Sequence, residues 1–201
     1  MIKRRFLAYI YDVCILVLIL LLTSYFLPVS EKKKNLSEEL STLEKNYLEE
    51  KITDKEFISS YSTISYEMDK ENVPYSIMNV LYVLLFFIYI PLKNDGMTIG
   101  GSKLGVRIKK NKGSLTTNDL VIRNTIVNGL AYMLLSILLL YFLPKNVYFY
   151  VMIILGFIQF TLVIISAFMV LYRHDRKGLQ GLFSKSSIEE VNEWENLQLK
   201  K

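Results

Sequence analysis

The sequence predicts an all-α membrane protein with four transmembrane helices and an extracytoplasmic αα-hairpin inserted between the first two. The 201-residue chain is 52% hydrophobic and has a positive mean hydropathy, which is high for a soluble protein and ordinary for a polytopic one. Four apolar runs are long enough to cross a hydrocarbon core of about 30 Å, and basic residues cluster beside them. The runs are Phe6–Leu27, Tyr75–Leu92, Thr125–Leu143 and Val147–Tyr172.

The first unit, residues 1–28, comprises a basic flank and the first apolar run. Lys3, Arg4 and Arg5 precede the run, which contains no Gly, no interior Pro and a single carboxylate, Asp12. The run is long for the apolar region of a signal peptide, and no small-x-small cleavage pattern follows it. We therefore interpret it as a retained transmembrane helix.

Residues 29–74 are predicted to form the extracytoplasmic helical hairpin. Apolar residues recur at three- and four-residue spacing in two stretches, and Thr53-Asp54-Lys55-Glu56 between them matches a capping box. The stretches contain Leu36, Leu40, Leu43 and Tyr47, then Phe57, Tyr61, Ile64 and Met68. Two interpretations stay open. The apolar stripes pack on each other and on the membrane surface, or residues 31–73 bind another membrane or extracytoplasmic protein.

The second transmembrane helix, 75–92, leads into a basic, Gly-rich cytoplasmic loop, 93–124. In this loop Val106–Lys109 alternates in polarity and precedes a turn signal, a pattern typical of a short strand. The third and fourth helices, 125–172, form a tight hairpin, because Pro144-Lys145-Asn146 leaves room only for a turn.

The distribution of charge predicts the orientation. Residues 31–73 carry a net charge of −4 and residues 93–124 a net charge of +5, while the N-terminal flank and the start of the tail, 173–201, are basic. Four spans place all the basic segments on one face, which the positive-inside rule makes cytoplasmic. Both termini are then cytoplasmic, and the protein is assigned to the bacterial cytoplasmic (plasma) membrane.

Charged segments also indicate which partners to expect. Lys109, Lys110 and Lys112 are predicted to contact anionic lipid headgroups at the bilayer surface. Nucleic acid is not expected, because no aromatic platform or recognition fold accompanies the charges. In the tail, Trp194 and Leu197 lie at helical spacing and are interpreted as contacting the membrane or a partner.

Three motifs occur in order along the chain. The first helix contains Arg5-x-x-Ala8-Tyr9-x-x-Asp12. The loop contains Gly96-x-Thr98-x-Gly100-x-x-x-x-Gly105-x-Arg107-Ile108, followed by Gly113-x-Leu115-Thr116 and Arg123-Asn124, and the last helix is followed by Arg176-Lys177-Gly178-Leu179. These motifs resemble the RDD family of small multi-pass bacterial membrane proteins. The resemblance covers the spans and the loop, and the outer hairpin looks like an insertion.

The resemblance has one departure with consequences for function. The family's final motif usually continues with His-Asp, and this chain has Gln180 and Gly181 at those positions. The second Asp that gives the family its name is therefore absent. The resemblance implies either cation/proton exchange, which has been proposed for some members, or an accessory role in a membrane complex.

Asp12 is the leading candidate for a functional residue, because a carboxylate inside an apolar helix is costly to bury. Arg5 lies two helical turns away on roughly the same face, and Arg123 lies near an end of the third helix. We predict that Asp12 faces the bundle interior and pairs with a cationic or amide group from another helix, with Arg123 and Arg5 as the leading partners. A fixed ion pair, a proton- or cation-coupled role and a carboxylate reaching interfacial water stay open. Three amides, Asn79, Asn128 and Gln159, are predicted to join helices within the membrane.

No enzyme, metal site or cofactor is expected. The chain has one Cys, Cys14, and one His, His174, and it lacks the spacing of a metalloprotease or a Ser–His pair within the bilayer. The leading functional prediction is a non-enzymatic accessory, scaffold or regulatory component of a membrane complex. The alternatives are a cation/proton exchanger that uses Asp12 and an immunity or resistance protein against a membrane-active toxin. A homo-oligomer is compatible with all three.

Overall fold

The computed structural model describes residues 2–27 and 29–191, and the tail positions Trp194 and Leu197 lie outside them. The described chain is mostly helical. In order, its elements are α1 (Ile2–Phe26), α2 (Glu31–Leu48), α3 (Asp54–Glu71), α4 (Val73–Leu84), a π-helical turn (Leu85–Tyr89), α5 (Ile90–Lys93), α6 (Ile99–Leu104), β1 (Val106–Lys110), α7 (Thr117–Val127), α8 (Leu130–Phe142), α9 (Lys145–Tyr172), α10 (Leu179–Phe183) and β2 (Ser186–Glu190).

Three of the described helices are long and apolar enough to cross a membrane. They are α1, the continuous helix Val73–Lys93 built from α4, the π-helical turn and α5, and the 28-residue α9. Of these helices, α1 buries small and polar side chains and exposes large apolar ones, the opposite of a helix in a soluble protein. In α1 the small residue Ala8 and the carboxylate of Asp12 are buried, while most of the large apolar side chains are exposed. Such a surface is suited to lipid, because hydrocarbon tails solvate apolar side chains and exclude charge.

The apolar core joins the middle of the helix Val73–Lys93 to α7 and the start of α8. Val83 and Phe87 pack with Leu120 of α7 and Leu130 of α8, all four being buried. Side chains of α1 pack on the same cluster, which connects three parts of the chain that are distant in sequence.

The third apolar run differs from the single helix predicted over 125–143. It is divided into α7 and α8, whose axes differ by 78°. Gly129 lies at the break with a φ of +65°, a left-handed conformation that ends the α-helical hydrogen-bond pattern. The 13 residues of α8 extend for only about 20 Å at about 1.5 Å per residue, so α8 alone does not cross the core. The number of described candidate spans is therefore three, or four if the bent pair is one span.

The helices α2 and α3 pack against each other through their apolar stripes. The predicted capping box is confirmed, since the Thr53 hydroxyl accepts from the backbone N–H of Glu56 and the Glu56 carboxylate accepts from the backbone N–H of Thr53. Across the connection, the rings of Tyr47 and Phe57 stack with centroids 4.3 Å apart.

A two-stranded antiparallel sheet adds a small β element to the predicted all-α fold. The predicted strand is confirmed as β1, and its partner is β2, with Ile108 opposite Ile188. The pairing joins the loop before α7 to the segment after α10. It was not predicted, because no local pattern connects strands about 80 residues apart.

Candidate functional site

Asp12 forms the centre of a buried clasp between α1 and α6. Its Oδ2 atom accepts from the Thr98 hydroxyl at 2.6 Å, and its Oδ1 atom accepts from the Gly100 backbone N–H at 2.6 Å. The Thr98 hydroxyl in turn accepts from the backbone N–H of Gly101 at 2.9 Å and so caps α6. Both oxygens of the carboxylate act as acceptors, which is the hydrogen-bonding pattern of an ionised group. The clasp therefore holds the start of α6 against α1.

Gly100 makes this clasp possible. A Cβ atom at this position would overlap the backbone carbonyl oxygen of Ala8 and approach the Asp12 carboxylate. The absence of a side chain lets the two backbones touch, which brings the Gly100 N–H within reach of Asp12. The motif residues Ala8, Thr98 and Gly100 thus serve a single contact between α1 and α6.

The predicted pairing of Asp12 with an arginine is wrong. Arg5 donates from Nη1 to the backbone oxygen of Arg176 at 3.1 Å, and Arg123 donates from Nη1 to the Ser186 hydroxyl at 2.8 Å. In the described part of the chain, no ion pair joins Asp12 to either guanidinium. The reason is steric and local: α6 lies against α1 at Gly100 and occupies the carboxylate with its own donors.

Arg123 begins a buried polar chain that sequence reasoning missed. Ser184 donates its hydroxyl hydrogen to the Gln180 carbonyl oxygen at 2.5 Å, so Ser186, 2.6 Å away, donates to Ser184 and accepts from Arg123. The Gln180 side-chain oxygen accepts from the hydroxyl of Ser166 on α9. This chain fastens α10 and the start of β2 to α7 and α9.

The model of the RDD family matches residues 1–185, a range that contains the Asp12 clasp, Arg5 and Arg123. The chain belongs to the RDD family. No curated protein and no solved structure matches it significantly.

The two residues of this RDD protein that depart from the motif lie beside the helix that carries Arg123. Gln180 and Gly181 lie in α10, which packs against α7, the helix that carries Arg123. Gly181 is buried, and a Cβ there would lie 3.0 Å from the backbone oxygen of Ser186, the residue that Arg123 binds. The position at which the motif usually has Asp therefore lies beside Ser186, and here it supplies no carboxylate.

Asn124, the second residue of the Arg-Asn motif, compensates for a helix defect in the RDD fold. Pro91 has no N–H, so the carbonyl of Phe87, four residues earlier, loses its α-helical donor. The Asn124 side-chain nitrogen donates to this oxygen at 2.9 Å and to the Leu120 oxygen at 2.8 Å. The π-helical turn Leu85–Tyr89 directly precedes Pro91 and widens the helix where the proline ring would otherwise crowd the carbonyl.

The three intramembrane amides each contact another helix. Asn128 donates to Asn124 at 2.6 Å and accepts from the hydroxyl of Tyr9 on α1 at 3.0 Å. Gln159 on α9 donates at 2.9 Å to the oxygen of Ile126, one of the carbonyls freed where α7 ends. Asn79 contacts the Met133 sulfur at 3.4 Å, which is a weak interaction.

The lysines predicted to contact headgroups differ in their surroundings. Lys109 pairs with Glu189 at 3.1 Å, and Lys110 pairs with Asp119 at 2.7 Å. Lys112 lies on the exposed turn after β1 and forms no ion pair within the described residues. Lys110 therefore has a carboxylate partner, whereas Lys109 shares Glu189 with Arg107, which donates to the same carboxylate at 2.8 Å.

At the other end of the bundle, α3 is fastened to the turn between α8 and α9. The Tyr66 hydroxyl donates to the Leu140 oxygen at 2.9 Å, and the Tyr148 hydroxyl donates to Asp69 at 2.9 Å. Burial raises the pKa of Asp69 above its ordinary value. Glu67 pairs with Lys145 at 2.7 Å and with Lys32 at 2.9 Å, and these two partners lower the pKa of Glu67 to about 2.

The described residues contain no group of three or more His, Cys, Asp or Glu side chains placed to hold a metal ion. The site offers two charged groups. One is the Asp12 carboxylate, whose oxygens both accept hydrogen bonds, and the other is the buried guanidinium of Arg123. Thr98, Ser184, Ser186 and Asn124 are the residues that sequence reasoning missed as parts of these sites. Thr98 and Asn124 lie within the quoted motifs, which was the available signal.

Proposed function

We propose that this RDD protein is a non-enzymatic accessory, scaffold or regulatory component of a membrane complex. The observation that carries the proposal is the Asp12 clasp. Asp12 is the only carboxylate in the three candidate spans and α8. Both of its oxygens are engaged at 2.6 Å by donors of the same chain, and the residue is 4% exposed. Such a group serves as a structural strut.

The clasp argues against cation/proton exchange through Asp12. A coupling carboxylate must alternate between protonated and ion-bound states in contact with water, and transport routes commonly line up several ionisable groups. Each Asp12 oxygen accepts a hydrogen bond, and the one further acid of the proposed spans, Asp119 in the first turn of α7, pairs with Lys110 at 2.7 Å. Exchange therefore ranks below the accessory role.

The topology that we propose has four crossings, with α7 and α8 together forming a broken third span. The strands β1 and β2 are hydrogen-bonded, so they lie on the same side of the membrane. The chain between them contains α7, α8 and the membrane-length α9. If α9 crosses once, α7 and α8 must together cross in the other direction. The internal amide partners at the break support this, because a spanning segment must satisfy its backbone within the protein.

The outer hairpin is the proposed surface for a protein partner. Its attachment to the turn between α8 and α9 makes it a fixed platform. A shallow, open cavity of about 550 Å³ lies on its surface, lined by Glu38, Glu39 and Thr42 around Leu43 and Ile64. We propose that a basic or amide-rich segment of an extracytoplasmic protein binds there.

Site-specific photo-cross-linking in native membranes tests this function. A photoreactive residue at Thr42, in the cavity wall, is expected to yield one discrete adduct with another protein. The same residue at Ser37, exposed on a different side of α2, serves as the matched control and should give little of that adduct. Absence of a discrete adduct at Thr42, or equal adducts at both positions, would overturn the proposed surface.

A further inference from the structure

Two arginines from distant parts of the chain converge on the short segment 176–186. Arg5 of α1 binds the backbone oxygen of Arg176 at the start of this segment, and Arg123 of α7 binds Ser186 at its end. The same segment begins with a third guanidinium, that of Arg176, whose backbone oxygen Arg5 binds. Positive charge is therefore concentrated around α10.

No carboxylate of the described chain neutralises this charge. Asp12 is held by Thr98 and Gly100, and Asp119 pairs with Lys110. Neither Arg5 nor Arg123 forms an ion pair with any described acid, although Arg123 is only 7% exposed. A buried charge without a counter-charge is strongly destabilising, so an anion from outside the chain would stabilise this arrangement.

The hydrogen-bond directions show that Arg123 has donors left for such an anion. A guanidinium has five N–H donors, and Ser186 takes one of them. The serine hydroxyl hydrogens point away from Arg123, towards the Gln180 carbonyl. In the described structure no enclosed side-chain nitrogen lacks a partner, so the unbonded nitrogens of Arg123 reach its small accessible opening.

We propose that Arg5 and Arg123 form a binding site for a phosphate group. Guanidinium donors match phosphate oxygens in a planar, two-bond geometry, and two arginines on one anion neutralise its charge. Arg5 begins the apolar run of α1, which is the depth at which phospholipid headgroups lie. The phosphate comes either from an anionic lipid headgroup or from a free phosphate in solution. The site is distinct from the lysines of the loop and from the outer hairpin.

Thermal unfolding of the full chain in detergent, followed during ligand titration, tests the site. Phosphatidylglycerol is compared with diacylglycerol, which has the same chains and no phosphate, and inorganic phosphate is compared with chloride at equal ionic strength. The unfolding temperature is expected to rise with at least one phosphate-bearing ligand. Arg123→Gln should raise the half-saturating concentration by about tenfold or more, the loss of a hydrogen bond to a charged group.

Two further variants make the outcome decisive. Arg5→Gln removes a partly exposed charge from the same site and is expected to weaken binding similarly, which keeps the test open if Arg123→Gln does not fold. Lys34→Gln removes the same charge from an exposed position on α2, outside the loop lysines and the proposed site, and should leave the titration unchanged. A response to phosphatidylglycerol alone identifies a lipid headgroup, and a response to inorganic phosphate as well identifies a site for free phosphate. The proposal is overturned if neither ligand stabilises the protein, if diacylglycerol or chloride acts equally, or if Lys34→Gln weakens binding as much as Arg5→Gln.

Discussion

At the scale of single residues, Asp12 and Arg123 are both buried, but their hydrogen bonding differs. Asp12 receives a hydroxyl and a backbone N–H at 2.6 Å each, so each of its oxygens accepts a hydrogen bond from the protein. Arg123 receives one described partner, the Ser186 hydroxyl, and meets no acid. The first arrangement is complete without a ligand, and the second leaves donors unused. This difference is the reason for assigning a structural role to Asp12 and for proposing a binding role for Arg123.

Replacing Asp12 tests its structural role. Asp12→Ala would leave the Thr98 hydroxyl and the Gly100 N–H buried without acceptors, and we expect the free energy of unfolding in detergent to fall by at least about 2 kcal/mol. Asp12→Asn keeps one acceptor and should lie between Asp12→Ala and the wild type. Thr98→Ser keeps the hydroxyl and serves as the near-neutral control. Wild-type stability of Asp12→Ala, combined with loss of proton flux in reconstituted vesicles, would instead favour exchange.

At the scale of elements, the helices are interrupted in two places and polar side chains satisfy the freed carbonyls. Pro91 removes a donor from Phe87, and Asn124 replaces it. The break at Gly129 frees the end of α7, and Gln159 of α9 donates to Ile126 there. In hydrocarbon an unsatisfied carbonyl is costly, so each interruption requires such a partner. These amides therefore determine where the helices can bend.

The attachment of α3 to α9 predicts a dependence of stability on pH. The pKa of Glu67 is about 2 in the folded protein, because Lys145 and Lys32 bind its carboxylate, against an ordinary value of 4.5. A folded pKa below the unfolded one contributes stability above the unfolded pKa, and this contribution is lost as pH falls from about 4.5 towards about 2. The unfolding temperature of the wild type should therefore drop over this range by more than that of Glu67→Gln.

The matched control for this measurement is Glu44→Gln on α2. Glu44 is exposed and forms no ion pair within the described residues, so its replacement should leave the acid-induced drop as large as in the wild type. Parallel curves for the wild type and Glu67→Gln below about pH 4.5 would contradict a role of this ion pair in holding α3.

At the scale of the whole molecule, the pairing of β1 with β2 constrains the path of the chain. The two strands enclose α7, α8 and α9 in sequence, and their hydrogen bonds require both strands to lie on one face. Arg4 near the start of α1 also pairs with Glu190 of β2 at 3.8 Å, which places the N-terminal end of α1 on that face. The hairpin contacts the start of α9, and in the proposed four-crossing topology it lies on the opposite face.

Cysteine labelling in intact cells tests this path. In a Cys14→Ser background, Ser41→Cys on the hairpin is expected to react with a membrane-impermeant maleimide from outside. Lys112→Cys after β1 and His174→Cys after α9 should react only after the membrane is opened. Reaction of Lys112→Cys and His174→Cys from opposite sides would show that α7 and α8 do not cross together, and it would exclude the four-crossing topology.

The sequence by itself determined the features that depend on neighbouring residues. Apolar runs indicated the long helices, Thr53 and Glu56 indicated where α3 begins, and alternation in residues 106–109 indicated β1, because periodicity and capping act within a few residues. Motif residues further identified the RDD family, which the match over residues 1–185 confirmed.

Tertiary structure decided which residues meet. Thr98 reaches Asp12 across 86 positions and Ser186 reaches Arg123 across 63, and the bend at Gly129 relies on Gln159, 33 positions from its acceptor Ile126. Contacts at such separations depend on how the helices pack. When packing brings hydrogen-bond donors within about 3 Å of a buried charge, those donors take the place of the partner that charge alone would predict.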